Sequence, residues 1–232
     1  MHQKAFKMHR LTLLPMTNAK VERKDVPDES EIESEIQKAE EIRDVYLRLR
    51  AKATIALLET GKRRSELVSL KVSDVWEDNK FLFVRFTVVK KRKKNIMTLQ
   101  RIKKFDLTSR YATMILDYLR YLKTQYPSCQ FLYPSGRMIF GDYFVDTSKA
   151  LKAQEIWRII KALNPKDWPH LHRERRAVKR IHADEKKFGE AKIETVYAVK
   201  RILDLEREST AWNYIRRHES QRVEETEEVE GS

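Results

Sequence analysis

Four segments of the sequence contain residue types that can handle a phosphate group. The first reads TGKRRSELVSLKVSDV at 60–75, where Gly61 suits the left-handed end of a helix and Arg63 lies three residues before Glu66. A carboxylate at that spacing can orient the guanidinium, and an oriented arginine offers a planar fork of N–H donors to a phosphate. A surface arginine in an ordinary salt bridge is the competing interpretation.

The second segment is a run of cations, KKRKKN at 90–95, that follows the β-branched and aromatic stretch FLFVRFTVV at 81–89. This order predicts a strand that ends in a basic turn. A lysine at such a turn could reach into a DNA groove and donate a proton. Lys90 is the first choice for that role and Lys91 is the alternative. A solvated charge run that only touches backbone phosphates is the competing interpretation.

The third segment, WPHLHRERRAVKR, places two histidine–arginine pairs just after Pro169. A proline favours the first turn of a helix, so His170 and Arg173 would lie at a loop-to-helix junction that presents both side chains to one site. His172 and Arg175 repeat the same H-x-x-R spacing two residues later. We expect that second pair to make packing or backbone contacts.

The fourth segment, AWNYIRRH, holds Tyr214 close to Arg216 and Arg217. Free tyrosine has a pKa near 10, so a tyrosine nucleophile needs a cationic field and a base. The chain has nine tyrosines, most of which will lie in or near the core. A buried aromatic side chain is therefore the competing interpretation for Tyr214.

The elements that would position these segments are mainly helical. The fold class predicted is mainly α with a small antiparallel β-sheet or hairpin (α+β), since only 81–89 and 96–107 resemble strands. Pro127, Pro134 and Gly136 predict a loop. Helices are predicted after a capping box at Ser30 and Glu33, from Thr108 or Ser109 to about Gln125, at about 147–163, 171–187 and 191–204, and around Tyr214.

Composition points to a polyanionic partner. The 232 residues include 48 Lys and Arg against 35 Asp and Glu, a net charge of +13, and 41% are hydrophobic, which is enough for a core. Such a balance is typical of nucleic-acid-binding proteins, although a basic protein without such a partner is the alternative. Cys129 is the only cysteine, so an intrachain disulfide is excluded.

Several other classes of protein are disfavoured. The sequence shows no secretory signal and no apolar run near the roughly 18 residues of a membrane span, which predicts a soluble, cytoplasmic protein with no membrane partner. A glycine-rich phosphate loop, a βα alternation and metal-ligand spacing are also missing. This argues against P-loop ATPases, Rossmann dehydrogenases and zinc fingers.

The four segments, in this order, resemble the tyrosine recombinase (integrase) family over roughly residues 28–217. The segment TG-x-R-x-SEL is similar to the first arginine box and gives Arg63, while HLHRERRA is similar to the H-x-x-R box and gives His170 and Arg173. The lysines of the basic turn and Tyr214 follow the family's order. The glycine-poor, Lys- and Glu-rich composition favours a mobile-element member, from a virus or plasmid of an archaeal host.

The resemblance implies a fold, a reaction and an assembly. Residues 1–27 would be an irregular N-terminal arm, 28–217 the catalytic domain and 218–232 an acidic flexible tail. Tyr214 would attack a phosphate of double-stranded DNA, giving a 3′-phosphotyrosine and a free 5′-hydroxyl without metal or cofactor. The two box arginines would hold the non-bridging oxygens, the turn lysine would protonate the leaving oxygen, and His170 would assist proton transfer. Four copies would act on two duplexes.

One departure from the family keeps two other functions open. The family usually has a Gly-His pair shortly before the tyrosine, whereas the matching positions here are Asp204 and Leu205, with Glu206 or Glu208 as a possible substitute. Leu205 is compatible with a non-catalytic DNA-binding protein of integrase descent. A type IB topoisomerase shares the chemistry and relaxes DNA as a monomer, but the histidine three residues before Arg173 favours a recombinase.

Overall fold

The computed structural model describes residues 27–92 and 95–216. Helices dominate, and two small antiparallel sheets interrupt them. The elements in chain order are α1 (Glu29–Glu40), α2 (Val45–Leu58), α3 (Arg64–Val68), β1 (Val75–Glu77), β2 (Phe81–Arg92), β3 (Asn95–Asp106), α4 (Arg110–Gln125), β4 (Pro134–Ile139), β5 (Asp142–Ala150), α5 (Ala153–Leu163), α6 (Pro169–Phe188), α7 (Ile193–Ile202) and α8 (208–216).

Several helices begin at a residue whose side chain accepts a hydrogen bond from a backbone N–H group of the first turn. Asp28 caps α1 and forms a reciprocal capping box with Glu31, so the predicted box at Ser30 and Glu33 is wrong by two residues. The aspartate carboxylate accepts the N–H of Glu31 at 2.8 Å and so satisfies one of the free donors of the first turn. Ser109 caps α4.

The first sheet is a long hairpin with a short edge strand, in the order β1-β2-β3. Strands β2 and β3 pair over 12 residues each, from Phe81 opposite Asp106 to Arg92 opposite Asn95. One face of β2 is buried at every second position, which is the alternation expected of a half-buried strand. The hairpin therefore matches the expectation from the sequence, whereas residues 93–94 at its tip lie outside the described residues.

The second sheet was not predicted. Residues 134–150 form the hairpin β4–β5, so the predicted loop around Gly136 is a strand and the predicted helix from 147 begins only at Ala153. The two connecting residues, Phe140 and Gly141, both have positive φ, as a tight primed turn requires. Asparagine or aspartate usually precedes glycine in such turns. Because phenylalanine stands at that position here, the sequence did not predict the hairpin.

Two hydrophobic clusters form the interior. The larger combines α1, α2, α4 and α5 with the buried face of the first hairpin, and the smaller is made by α6, α7 and α8. Gly61 lies where they meet, since its backbone has φ +77° and a Cβ there would lie 2.9 Å from Leu203. The segment that follows Gly61 is therefore held against both clusters. Within the described ranges, no helix is both long and apolar enough for a membrane span.

Candidate active site

The carboxylate of Glu66 fixes Arg63 at the start of α3. Arg63 is the N-cap residue, and its backbone N–H donates to Glu66 Oε2 at 2.9 Å. Its guanidinium donates to Glu66 Oε1 at 3.0 Å. Glu66 is buried, whereas the Arg63 side chain is 48% exposed. The arginine is therefore oriented on one side and open to a ligand on the other.

Arg173 lies one turn into α6 and is buried. Its guanidinium donates to two backbone carbonyls, those of Gly61 and Leu203, and so joins the two hydrophobic clusters. Burial and the charge of Arg63 lower the pKa of Arg173, and the Tyr214 hydroxyl raises it. A guanidinium has five N–H donors, so two carbonyls leave donors for a further acceptor.

Arg63 and Arg173 line one cavity of about 380 Å³ together with His170. The His170 side chain is more than half exposed, and its Nε2 lies 3.3 Å from Glu174 Oε1. The remaining walls come from the start of α3, from α5 and from the turn before α6 and are formed by Lys62, Arg64, Ser65, Trp157, Trp168 and Pro169. The cavity is strongly cationic, as an anion site should be.

Tyr214 is partly buried in α8, where it packs against the smaller hydrophobic cluster. Its hydroxyl is close enough to the Arg173 guanidinium to offset part of the decrease that burial and Arg63 cause in the pKa of that arginine. The structure therefore brings together four of the residues that the sequence singled out. Arg63, His170 and Arg173 share a cavity, and Tyr214 neighbours the buried arginine.

The comparison with protein families gives a match over most of the described chain. Residues 27–184 match the model of the Phage integrase family. The chain belongs to the phage integrase family. The family predicted from the four segments is thereby confirmed. The comparison with curated proteins gave no match.

Two solved structures of a XerH site-specific recombinase have the same fold. One is a post-cleavage complex bound to palindromic difH substrate, with a TM-score of 0.59, 16% identity, and coverage of 89% of this chain and 53% of that chain. The other is a pre-cleavage complex bound to difH substrate, with a TM-score of 0.56, 16% identity, and coverage of 81% and 49%. This chain spans about half the length of those chains. The predicted α+β fold class is confirmed.

Part of the predicted integrase site falls outside the described side chains. The backbones of Lys90 and Lys91 lie in β2, opposite Met97 and Ile96, but their side chains are not described. Arg217, residues 1–26 and the tail 218–232 also lie outside the described residues.

The positions where the family usually has Gly-His make structural contacts in this integrase-family chain. Asp204 has φ +51° and forms ion pairs with Lys62 and, at 2.8 Å, with Arg101. Burial alone would raise the pKa of Asp204, but these two cations lower it overall. Leu205 packs in the smaller hydrophobic cluster.

A second cavity of about 600 Å³ lies beside these positions. It is lined by Arg63 and by the exposed Glu206, among others, so an acidic residue considered as a substitute for the histidine shares a cavity with Arg63. Leu205 also lines it. The loop between α7 and α8 therefore borders the candidate site.

Two lysines near the site were missed by sequence reasoning. Lys62 is fully buried, pairs with Asp204 and lies 5.3 Å from the centre of the Phe86 ring. Lys103 donates to the Ile202 carbonyl at 3.3 Å, and burial together with the charge of Lys62 lowers its pKa to about 8. Their partners lie about 100 or more residues away in sequence, so no local pattern marks either lysine.

His172 and Arg175 are packed in the interior, as expected, and they also form ion pairs that the sequence did not predict. Both are buried and ion-paired: His172 Nδ1 lies 3.0 Å from Glu59 Oε1, and Arg175 pairs with Glu59 and Glu29. Burial alone would lower the pKa of His172, but the bond to Glu59 and the nearby carboxylates raise it overall. Helix α6 therefore carries His170 and Arg173, which line the cationic cavity, as well as a buried charge network around His172 and Arg175.

Proposed function

We propose that this chain is a site-specific DNA recombinase that cuts and rejoins DNA through a 3′-phosphotyrosine on Tyr214. The observation that carries the proposal is the convergence of Arg63, His170 and Arg173 on one cavity, with the Tyr214 hydroxyl beside Arg173. A tyrosine, two arginines and a histidine together supply a nucleophile, anion binding and a proton acceptor.

The two arginines have complementary roles in this mechanism. Arg173 is fixed by backbone carbonyls, and Arg63 is fixed by a buried carboxylate, so neither needs to reorganise when a phosphate arrives. Donors arranged in advance stabilise charge that develops on the non-bridging oxygens in the transition state. Removing one donor of this kind typically costs about 3–4 kcal/mol.

Tyr214 is the proposed nucleophile and His170 its proton acceptor. The neighbouring Arg173 guanidinium stabilises negative charge on the attacking phenolic oxygen, and it contacts the phosphate as well. The new bond joins the tyrosine oxygen to phosphorus, and the bond from phosphorus to the 5′-oxygen breaks. Because the phosphotyrosine preserves one ester bond, rejoining needs no nucleotide cofactor.

The 5′-oxygen leaves with a proton, for which Lys90 is the proposed donor. Lys90 is the first lysine of the basic stretch that follows the apolar part of β2. Lys91 is the alternative donor.

Double-stranded DNA is the proposed partner, and the net charge of +13 supports it. The XerH structures that share the fold were solved with DNA substrates. We also propose that four copies assemble as a tetramer on two duplexes. The proposed division of the chain is an arm (1–27), a catalytic domain (28–217) and an acidic tail (218–232). The proposed location is the nucleoid, in the cytoplasm of an archaeal host with a virus or plasmid.

Two other functions make different predictions. A type IB topoisomerase would relax supercoiled plasmid as a dilute monomer and yield no recombinants. A DNA-binding protein without catalysis would bind duplexes and form no adduct, and the apolar Leu205 at the usual histidine position is the observation that favours it. Plasmid relaxation and covalent capture therefore separate the three functions.

The decisive experiment is covalent capture on a nicked duplex from which the cleaved fragment escapes. We expect the wild type to form an adduct that survives a denaturing gel, and we expect Tyr214→Phe to form none because it lacks the attacking oxygen. Tyr197→Phe, which alters an exposed tyrosine of α7, is the matched control and should form the adduct. An adduct that persists in Tyr214→Phe would overturn the assignment, and no adduct on any DNA would favour binding alone.

A further inference from the structure

Three buried side chains converge behind the candidate active site. Glu35 comes from α1, Asp167 from the turn before α6, and His172 from α6 itself, and each is completely buried. One ligand atom from each residue lies within 4.8 Å of the others. The group is separate from the cationic cavity, although His172 lies between His170 and Arg173 in sequence.

The converging atoms have no hydrogen-bond partner in the part of the chain that the structure describes. These atoms are Glu35 Oε2, Asp167 Oδ2 and His172 Nε2. The histidine nitrogen lies 3.5 Å from each of the two carboxylate oxygens. Buried polar atoms nearly always have partners, and two carboxylates that face one point in the interior repel each other. A cation bound by all three would satisfy them together.

The other polar atom of each side chain is already held. Asn164 donates to Glu35 Oε1 at 3.2 Å, the backbone N–H of Trp168 donates to Asp167 Oδ1, and His172 Nδ1 lies 3.0 Å from Glu59 Oε1. Histidines that bind metals typically donate the second ring N–H to a carboxylate, which leaves the lone pair of the first nitrogen for the metal. His172 and Glu59 have this arrangement.

We propose that Glu35 Oε2, Asp167 Oδ2 and His172 Nε2 bind one zinc ion. Metal–ligand bonds of about 2.0–2.1 Å in a tetrahedron place neighbouring ligand atoms roughly 3.3–3.4 Å apart, close to the nitrogen–oxygen separations found here. In an octahedral magnesium site, neighbouring ligand atoms would lie about 2.9 Å apart, and magnesium prefers ligands that are all oxygen atoms. A water molecule would complete the four ligands.

The proposed zinc ion would fasten α1 to the first turns of α6. That turn of α6 carries His170 and Arg173, so the ion would act as a positioning element for the active-site pair and would touch neither the DNA nor the reacting atoms. Glu35 lies more than a hundred residues before Asp167 and His172 in the sequence, which is why no motif of metal-ligand spacing reveals the three residues together.

Zinc titration of the full chain tests the proposal. The protein is dialysed against a chelator, the chelator is removed, and zinc chloride is added during calorimetry and thermal unfolding. We expect saturation at one equivalent and a rise of several degrees in Tm, because an ion that binds only the folded state stabilises it. Cobalt(II) should give the intense visible absorption of a four-coordinate ion.

Two variants separate this site from adventitious binding. Glu35→Gln keeps the shape but removes an anionic ligand, and it should weaken zinc binding at least tenfold and abolish the Tm response. His182→Asn alters an exposed histidine of the same helix and should respond as the wild type does. Equal zinc binding by Glu35→Gln and the wild type would place the ion elsewhere and overturn the proposal.

A shared proton is the rival explanation of the cluster. If one carboxyl group keeps a proton and bonds to the other, the wild type shows no saturable zinc binding and no Tm change, and the proposal fails. Should Glu35→Gln not fold, the cobalt spectrum of the wild type decides, since weak six-coordinate absorption overturns the site. None of these measurements uses DNA, so their failure leaves the recombinase proposal standing.

Discussion

Arg63 and Arg64 are adjacent arginines in very different environments, and this difference provides a test at the residue scale. Arg63 is held by Glu66, whereas Arg64 is exposed and its guanidinium donates to Gln154 Oε1 at 3.4 Å. We expect Arg63→Ala to slow formation of the covalent adduct by about 10²–10³-fold, the typical loss for one fixed donor in a transition state.

Arg64→Ala is the matched control for that substitution because it removes the same charge one residue away. Its effect on the single-turnover rate, measured at a protein concentration that saturates the DNA, should be below about tenfold. Equal losses of rate in the two variants would mean that total charge matters and that the geometry set by Glu66 does not.

Two lysines compete for the role of proton donor. Lys90 is the proposed donor, but the pKa of Lys103, lowered to about 8 by burial and by Lys62, would also allow it to give up a proton near neutral pH. A substrate with sulfur in place of the leaving 5′-oxygen distinguishes them, since a thiolate leaves without a proton. We expect Lys90→Ala to cleave the ordinary oxygen substrate slowly and to cleave the sulfur substrate at close to the wild-type rate.

Lys103→Ala should gain nothing from the sulfur substrate if the lysine acts only through packing and charge. Single-turnover cleavage of both substrates by both variants measures this. If the sulfur substrate restored the cleavage rate of Lys103→Ala and not that of Lys90→Ala, the proton donor would be Lys103.

At the scale of elements, the segment between α7 and α8 determines where the helix with Tyr214 begins. Asp204 in this segment pairs with Lys62, which follows α2, and with Arg101 in β3. We expect Asp204→Asn to destabilise the protein by about 3–5 kcal/mol, because Lys62 would remain as a buried, uncompensated charge. Asparagine tolerates a positive φ, so the substitution isolates the charge from the backbone conformation.

Urea unfolding of three variants measures this effect. Glu206→Gln, two residues further on and exposed, should unfold as the wild type does. The double variant Lys62→Met/Asp204→Asn should recover much of the lost stability, since no buried charge is left without a partner. If Asp204→Asn alone retained wild-type stability, the ion pair would have no structural role.

The same elements show what the sequence could and could not predict. Helix α6 and the H-x-x-R pair at its start follow from local signals, a proline and a periodic apolar face. The ion pair between Arg175 and Glu59 could not be predicted, because 116 residues separate the two side chains. The turn at Phe140 and Gly141 was not predicted because Phe140 has a positive φ, a conformation that residues such as phenylalanine seldom adopt.

At the scale of the whole molecule, the candidate site lies where two hydrophobic clusters meet. Arg173 bonds to a carbonyl from each side of this boundary, that of Gly61 after α2 and that of Leu203 after α7. The order of the four sequence segments predicted which residues would meet. It could not predict that a buried arginine joins the clusters, because that depends on tertiary packing of distant carbonyls.

The net charge of +13 leads to a prediction about DNA affinity. Each phosphate that a protein neutralises releases condensed counterions, so the logarithm of the binding constant falls linearly with the logarithm of salt concentration. Contact with about six phosphates gives a slope near −5. Tyr214→Phe should be used, since it cannot trap DNA covalently and therefore reports the binding equilibrium alone.

The control variant for the salt measurement is Arg63→Ala in the same Tyr214→Phe background. Loss of one phosphate contact should reduce the slope by about one while affinity falls on specific and unrelated duplexes alike, because a phosphate contact carries no sequence information. If the DNA-binding constant of Tyr214→Phe did not change with salt concentration, the proposal that DNA is the partner would be contradicted. An unchanged slope in the double variant would instead mean that Arg63 does not reach a phosphate before cleavage.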